Sequence, residues 1–183
     1  VSGGLTNADR WIEANTRDPL NPYKNWSFAG HEWQRQVVND TAPEVALRKA
    51  TQIGASEVSL RLALAIVSKF AGISATYTLP TIRFAQKFAM SRVDPVIKNS
   101  PKLSTLLSKE VSSNELKQIG NSFLYFGGCN SENSAISVPA RALIIDELAF
   151  SQPGVVSIFA SRLGHVPEHL RIIRKFSSPL YPH

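Results

Sequence analysis

Two short stretches carry residue types that could bind a phosphate group and activate a water molecule. The first is a loop between a predicted short buried strand at Val45–Leu47 and a long predicted helix at Glu57–Phe70. It reads Lys49, Ala50, Thr51, Gln52, Ile53, Gly54, Ala55, Ser56 and Glu57. In a strand–loop–helix unit of this kind, backbone N–H groups and the helix N-terminus bind an anion. The order of elements therefore predicts a phosphate-binding loop.

The loop departs from the usual phosphate-loop pattern, G-x-x-x-x-G-K-[ST]. Gly54 and Ser56 match the second glycine and the hydroxyl of that pattern. Lys49 stands where the first glycine is expected, and Ala55 stands where the usual lysine is expected. Half of the fixed positions are therefore changed, and the loop alone is equally typical of an ordinary strand-to-helix turn.

The second stretch is an acidic pair at the end of an apolar run. Ala142–Ile145 predicts a buried parallel strand, and Asp146 and Glu147 follow it directly. The carboxyl ends of parallel strands meet at one edge of a sheet, where they deliver side chains to a ligand. There Asp146, with Ser56, would hold Mg²⁺, and Glu147 would deprotonate the attacking water. An acidic helix cap is the alternative for the pair alone, but the two motifs together favour an ATP site.

Composition describes a basic globular chain. It has 183 residues, 43% of them hydrophobic and 19% charged, with a formal net charge of +6. This balance is typical of a folded domain and favours an anionic partner. Cys129 is the only cysteine and excludes an internal disulfide. No apolar run approaches the roughly 20 residues that span a bilayer, so no membrane partner is expected.

The chain divides into a predicted N-terminal arm at residues 1–30 and an α/β domain with a mainly parallel sheet at residues 31–183. Because it begins with a valine and its only methionine lies mid-chain, we interpret it as a fragment of a longer protein. After the arm, the sequence predicts a helix over 31–40, a strand at Ile73–Leu79, a helix from Thr81 that restarts at Asp94–Pro95, and a helix from Ser100 to Leu107. A hairpin of Leu116–Ile119 and Phe123–Phe126 is predicted next, turning at Gly120–Asn121, and a flexible connector runs from Gly127 to Ser131. The last predicted elements are a helix over Val155–Leu163 and a strand over Leu170–Phe176.

These residues resemble the N-terminal ATPase domain of the large terminase subunit of tailed bacteriophages, most of all its GpA (lambda-type) branch. The resemblance covers about residues 30 to 180. Trp33–Gln34 resembles the family's adenine-side motif, and residues 49–56 resemble its deviant phosphate loop. Leu79–Thr81 and Arg92–Pro95 match a central segment, and Leu143–Glu147 matches the acidic motif. Ser177–Pro179 matches the coupling motif, with Ser178 in place of a threonine.

The resemblance implies a three-layer P-loop NTPase of the ASCE type that uses ATP and Mg²⁺. It implies a DNA-packaging motor that moves double-stranded DNA into a procapsid, acting in the host cell cytoplasm. The implied partners are a portal protein, a small terminase subunit and further copies of the chain in a homo-oligomer. The full-length protein is also expected to be an endonuclease, with its nuclease domain outside these residues.

The resemblance also assigns roles to single residues. Lys49 takes over from the missing lysine at Ala55, so that exchanging the two residues is predicted to recover part of the activity. Trp33, Gln34, the loop residues through Glu57, and Ser178 contact the nucleotide. An arginine from a neighbouring subunit is expected to stabilise the transferred phosphoryl group. Its candidates are Arg83, Arg141 and Arg162, of which Arg162 is favoured for its place after the acidic strand.

Two other classes of protein share these motifs. The nucleotide-binding lobe of a helicase-like ATPase would have the loop and the acid pair, but also a second lobe with arginine motifs. A catalytically inactive scaffold would explain Ala55 as a sign of lost hydrolysis. The retained Glu147 argues against the scaffold, because an inactive domain needs no base at that position.

Overall fold

The computed structural model describes residues 5–69, 72–135 and 140–179. Within them the helices are α1 Ala8–Asn15, α2 Glu32–Asn39, α3 Ala55–Lys69, α4 Ile82–Phe88, α5 Asp94–Asn99, α6 Pro101–Leu106 and α7 Pro153–Ser161. The strands are β1 Glu44–Arg48, β2 Ala75–Leu79, β3 Leu107–Ser112, β4 Leu116–Ile119, β5 Ser122–Gly128, β6 Ala142–Ile145 and β7 Ile172–Ser177. A π-helical turn, Ala89–Val93, joins α4 to α5.

The strands form one seven-stranded sheet in the order β1-β7-β6-β2-β5-β4-β3. The pairs from β1 to β5 in this order are parallel, whereas β4 and β3 are added in antiparallel orientation. All five parallel strands therefore end at the same edge, which we name the carboxyl edge. The loop after β1 and the acids after β6 both lie there, and β7 lies between them.

Helices cover both faces of the sheet, which gives three layers. On one face, apolar residues of α1 to α6 form a core with β2, β4, β5, β6 and β7. On the other face, α7 packs on Leu143, Ile145 and Ile173 of the central strands. Helix α3 is buried almost all round, because leucine, isoleucine, valine and alanine occupy nearly every direction around its axis. The predicted three-layer α/β architecture is thus present.

Strand β1 differs from its prediction as a buried strand. It lies at one margin of the sheet, pairs only with β7 among the described strands, and alternates between exposed and half-buried residues. Three apolar residues predict a strand, but they carry no information about how many neighbours that strand has. The prediction of burial was therefore wrong.

The region around the antiparallel strands is partly as predicted. The hairpin of β4 and β5 turns at Gly120, whose φ of 59° requires the left-handed backbone that glycine tolerates. Strand β3 was missed, because α6 ends at Leu106 and the chain continues as a strand. Gly127 and Gly128 are not a flexible connector, since both belong to β5. A Cβ on Gly128 would lie 2.2 Å from the backbone nitrogen of Ile82, so this glycine lets β5 approach the start of α4.

The predicted helix restart at Asp94–Pro95 is replaced by a continuous helical path through the π-turn. Asp94 is itself helical, and Val93 precedes α5 as its N-cap residue. The Asp94 carboxylate instead pairs with the buried Lys117 ammonium of β4 at 2.7 Å. Within the predicted arm, Trp11 lies in the eight-residue helix α1. The division of the chain at residue 30 stays a prediction.

Candidate active site

The loop between β1 and α3 curls back on itself at the carboxyl edge. Gln52 and Gly54 adopt left-handed backbone conformations, with φ of 62° and 78°. Helix α3 begins at Ala55, and the first N–H groups of a helix have no acceptor within it. Backbone N–H groups in turns of this kind form concave anion sites. The loop therefore has the form expected for binding phosphate.

Lys49 reaches from the start of this loop to the acid pair after β6. Its Nζ lies 2.8 Å from Oε1 of Glu147 and 3.2 Å from Oδ1 of Asp146. The Lys49 side chain is 6% exposed and that of Asp146 is 1% exposed. Burial by itself lowers the pKa of Lys49, but the hydrogen bond to Glu147 and the charges of both acids outweigh it and raise that pKa. The structure thus brings together three residues that the sequence assigned to the site.

The two acids have different surroundings. Asp146 continues the ladder of β6, because its N–H donates to the Thr78 carbonyl at 2.9 Å. Glu147 has a left-handed backbone with φ of 56°, and its N–H donates to Oδ1 of Asp146 at 3.0 Å. Its side chain is 32% exposed and so can reach solvent. A sparsely populated backbone conformation of this kind is frequent in functional sites.

Tyr77 is a member of the site that sequence reasoning missed. It lies in β2, and its hydroxyl donates a hydrogen bond to Oδ2 of Asp146 at 2.9 Å. Burial, followed by the negative charge of Asp146, raises the pKa of Tyr77 well above its usual value. The available signal was a tyrosine within an apolar strand, because a buried tyrosine hydroxyl needs a polar partner.

Helix α2 places Gln34 against the loop. Gln34 is 2% exposed, and its Nε2 lies 3.4 Å from the Ile53 carbonyl oxygen. A Cβ at Gly54 would lie 3.2 Å from the same Nε2, so glycine permits this close packing. Oε1 of Gln34 is buried without a hydrogen-bond partner, which leaves an acceptor beside the loop. Trp33 is half-buried against the core. The adenine-side role of both residues stays a prediction.

Other loop residues are positioned in several ways. Ala55 is 3% exposed and belongs to the hydrophobic core, so the position of the usual lysine is filled by packing rather than vacant. The Glu57 carboxylate pairs with Arg61 at 2.6 Å and with Arg92 at 2.8 Å. Ala50 and Thr51 are exposed, and Ser56 is half-buried.

The end of β7 joins the phosphate loop to the segment after the acids. The N–H of Lys49 donates to the Ser177 carbonyl, and Oγ of Ser177 accepts from the Ala149 N–H, each at 2.9 Å. Ser177 Oγ also donates to the Ser178 carbonyl at 3.1 Å. Ser177 therefore makes the connecting contacts at this point. The predicted contact of the half-buried Ser178 with the nucleotide stays a prediction.

The candidate arginines lie in different parts of the fold. Arg83 is exposed in the first turn of α4, at the carboxyl edge. Arg141 precedes β6, and Arg162 follows α7, which starts near Cys129 at the carboxyl edge and runs toward the opposite edge. Within one chain, the structure therefore does not place Arg162 with Lys49 and the acids.

The side chains at the carboxyl edge suit a magnesium ion that is shared with a phosphate. Among the described residues, no group of three or more histidines, cysteines and acids could hold a metal by itself. Mg²⁺ is commonly held by one or two protein oxygens together with substrate phosphates and water. The carboxylate of Asp146 and the hydroxyl of Ser56 are oxygen ligands of that kind, so the residues present fit the ion.

Comparison with known proteins agrees with this geometry. A family model described as the ATPase domain of the phage terminase large subunit gpA matches residues 24–155. The chain belongs to this family. Family membership confirms the predicted resemblance and shows that the chain is a nucleotide-binding ATPase domain. The comparison with curated proteins gives no match.

Solved terminase structures share the fold. The large terminase of bacteriophage HK97 has a TM-score of 0.78 at 14% identity, over 94% of this chain and 38% of that one. The ATPase domain of the Thermus phage P74-26 large terminase has a TM-score of 0.66 at 16% identity, over 84% and 66%. A large terminase from a thermophilic bacteriophage, in complex with ADP, has a TM-score of 0.54 at 11% identity, over 74% and 34%.

These matches confirm the predicted fold class, an α/β fold with a mainly parallel sheet. The chain covers only 38% of the length of the HK97 protein. None of the described helices has the length and apolarity needed to cross a membrane.

Proposed function

We propose that this chain is the motor domain of a viral terminase large subunit, in which hydrolysis of Mg-ATP drives double-stranded DNA into a procapsid. The observation that supports the proposal most directly is the Lys49 ammonium held between Asp146 and Glu147, beside a curled loop at the carboxyl edge. The partners of this proposal are a portal protein, a small terminase subunit and other copies of the chain in the host cytoplasm. A nuclease activity belongs to the same proposal for the full-length protein.

In this proposal, Lys49 changes partners during the reaction cycle. Without nucleotide its ammonium neutralises the two acids, and with nucleotide it moves to the phosphate oxygens, where a lysine acts as a mobile point charge. Its departure frees Oε1 of Glu147, which then accepts a proton from the attacking water. Asp146 and Ser56 would hold Mg²⁺, which neutralises charge that develops on the phosphates. Gln34, with its unpaired buried Oε1, would face the nucleoside side of the loop.

Calorimetry with ATP tests the metal assignment. We expect the 183-residue chain to bind Mg-ATP, though weakly without neighbouring subunits, and to bind ATP more weakly in EDTA. Asp146→Asn should lower the affinity measured with Mg²⁺ to the value measured in EDTA. Equal affinities of the unsubstituted chain in Mg²⁺ and EDTA would remove the metal role from Asp146 and Ser56.

Arg162 is proposed to act on the site of a neighbouring subunit. Its place at the far end of α7, distant from the acids of its own chain, is compatible with action across an interface. In the assembled motor, Arg162→Ala and Glu147→Gln subunits are each expected to be inactive alone. A mixture should regain part of the ATPase activity, because some interfaces then join an intact arginine to an intact base. Absence of recovery with both variants folded and assembled would exclude this role.

A further inference from the structure

Tyr77 carries a buried hydroxyl that has no function in the roles proposed for the phosphate loop and the acid pair. Its residue is 0% exposed. The ring stacks on Phe88 of α4, with centroids 4.9 Å apart and 16° between the planes. Phenylalanine would fill this position and make the same stack. The hydroxyl must therefore offset its own loss of hydration through its hydrogen bonds.

Those hydrogen bonds complete the surroundings of Asp146. Oδ2 accepts from Tyr77 at 2.9 Å, whereas Oδ1 accepts from the Lys49 ammonium and from the Glu147 N–H. Each carboxylate oxygen thus has its own protein donor. If the Tyr77 hydroxyl is removed, Oδ2 has no other protein donor in the described residues, and the orientation of the carboxylate depends on the two bonds to Oδ1 alone.

The contacts continue from Tyr77 to the first turn of α3. Ser59 Oγ lies 2.8 Å from the Tyr77 hydroxyl and 3.1 Å from the Ser56 carbonyl oxygen. The Tyr77 proton serves Asp146, and the single Ser59 proton serves either Tyr77 or the Ser56 carbonyl, because each hydroxyl has one proton. Close polar contacts therefore run from the Ser56 backbone carbonyl to Asp146 through Ser59 and Tyr77, with Ser59 donating to one of its two neighbours at a time.

We propose that Tyr77, assisted by Ser59, is a positioning residue that sets the affinity of the site for Mg²⁺. This inference rests on the proposed function, in which Ser56 and Asp146 hold the ion. Magnesium requires nearly octahedral geometry, with oxygens at about 2.0–2.1 Å, so a carboxylate held in one orientation binds it better than one that rotates. Ligands hydrogen-bonded in this way typically lose about 10–100-fold in metal affinity when the partner is removed.

The test is Tyr77→Phe, which deletes one oxygen and keeps the ring and its stack. Calorimetry gives the Mg²⁺ concentration at which half of the Mg²⁺-dependent increase in ATP affinity is reached. We expect this concentration to rise about tenfold. Affinity for ATP in EDTA should be unchanged, because the described partners of the hydroxyl are the side chains of Asp146 and Ser59 and not the loop backbone. The matched control is Tyr125→Phe on the neighbouring strand β5, which pairs with β2 and should alter neither quantity.

A merely structural role predicts another result, in which affinity for ATP falls equally in Mg²⁺ and in EDTA. That result, or an unchanged Mg²⁺ requirement in folded Tyr77→Phe, overturns the inference and leaves the proposed function standing. If Tyr77→Phe does not fold, Ser59→Ala provides the decision, with an expected several-fold rise in the Mg²⁺ requirement. An unsubstituted chain whose ATP binding ignores Mg²⁺ overturns both this inference and the metal part of the proposed function.

Discussion

Replacing Glu147 by glutamine is expected to lower ATP turnover by about 10²-fold or more, the usual contribution of a general base, while nucleotide binding survives. The structure explains why binding should persist. Glutamine keeps an oxygen that can accept the 2.8 Å hydrogen bond from Lys49, so the lysine retains a partner in the empty site. The backbone N–H of residue 147 also continues to donate to Asp146.

The measurement needs the assembled motor, with ATP hydrolysis and DNA packaging followed together and nucleotide affinity measured separately. Glu110→Gln is the matched control, because Glu110 is an exposed carboxylate on β3, at the opposite margin of the sheet from β1. Both activities should be unchanged in the control and lost in parallel in Glu147→Gln. Packaging at the normal rate by Glu147→Gln would place the base elsewhere.

Removing the Lys49 side chain by Lys49→Ala is expected to reduce hydrolysis by about 10²–10³-fold, the range for loss of one preorganised electrostatic contact. Affinity for ATP should fall more than affinity for ADP, because the ammonium is assigned to the outer phosphates. The substitution also leaves the buried Asp146 beside Glu147 without a counter-charge.

Arg48→Ala tests whether the cation that precedes Lys49 in the chain neutralises the phosphates in its place. Arg48 is the exposed last residue of β1, and its removal should leave hydrolysis nearly unchanged. Normal hydrolysis by Lys49→Ala would disprove the substitute-lysine assignment. The exchange variant, with Ala55→Lys added, was predicted from sequence to recover activity. Because Ala55 is packed in the core, we no longer expect that recovery.

The convergence of Lys49 with Asp146 and Glu147 was predictable from sequence. Parallel strands end at one edge, so residues that directly follow two such strands meet even when nearly a hundred positions separate them. The contacts of Tyr77 and Ser177 were not predictable in the same way. They depend on which strands are neighbours and on which face each side chain takes, and a pattern of apolar residues determines neither.

In the fold, too, features set by neighbouring residues were predictable from sequence, whereas features set by pairing between distant strands were not. The helix from Ala55 and the hairpin at Gly120 follow from periodicity and turn residues, which act over a few positions along the chain. The marginal place of β1 and the existence of β3 follow from pairing with distant strands. The boundary between α6 and β3 at Leu106–Leu107 falls within a run of residues compatible with either structure, so tertiary pairing determines it.

The marginal place of β1 has a mechanical consequence for a domain of a motor. On the strand side of the phosphate loop, force can pass into the sheet only through β7, among the described strands. Arg174 of β7 reinforces this connection by donating to the carbonyls of Ala42 and Asp40 at 2.9 and 2.6 Å, and Lys175 pairs with Glu44. Through β1 the backbone of the loop is thus coupled to β7 and to no other described strand, and a displacement of that backbone loads β7, and with it Ser177, before the rest of the sheet.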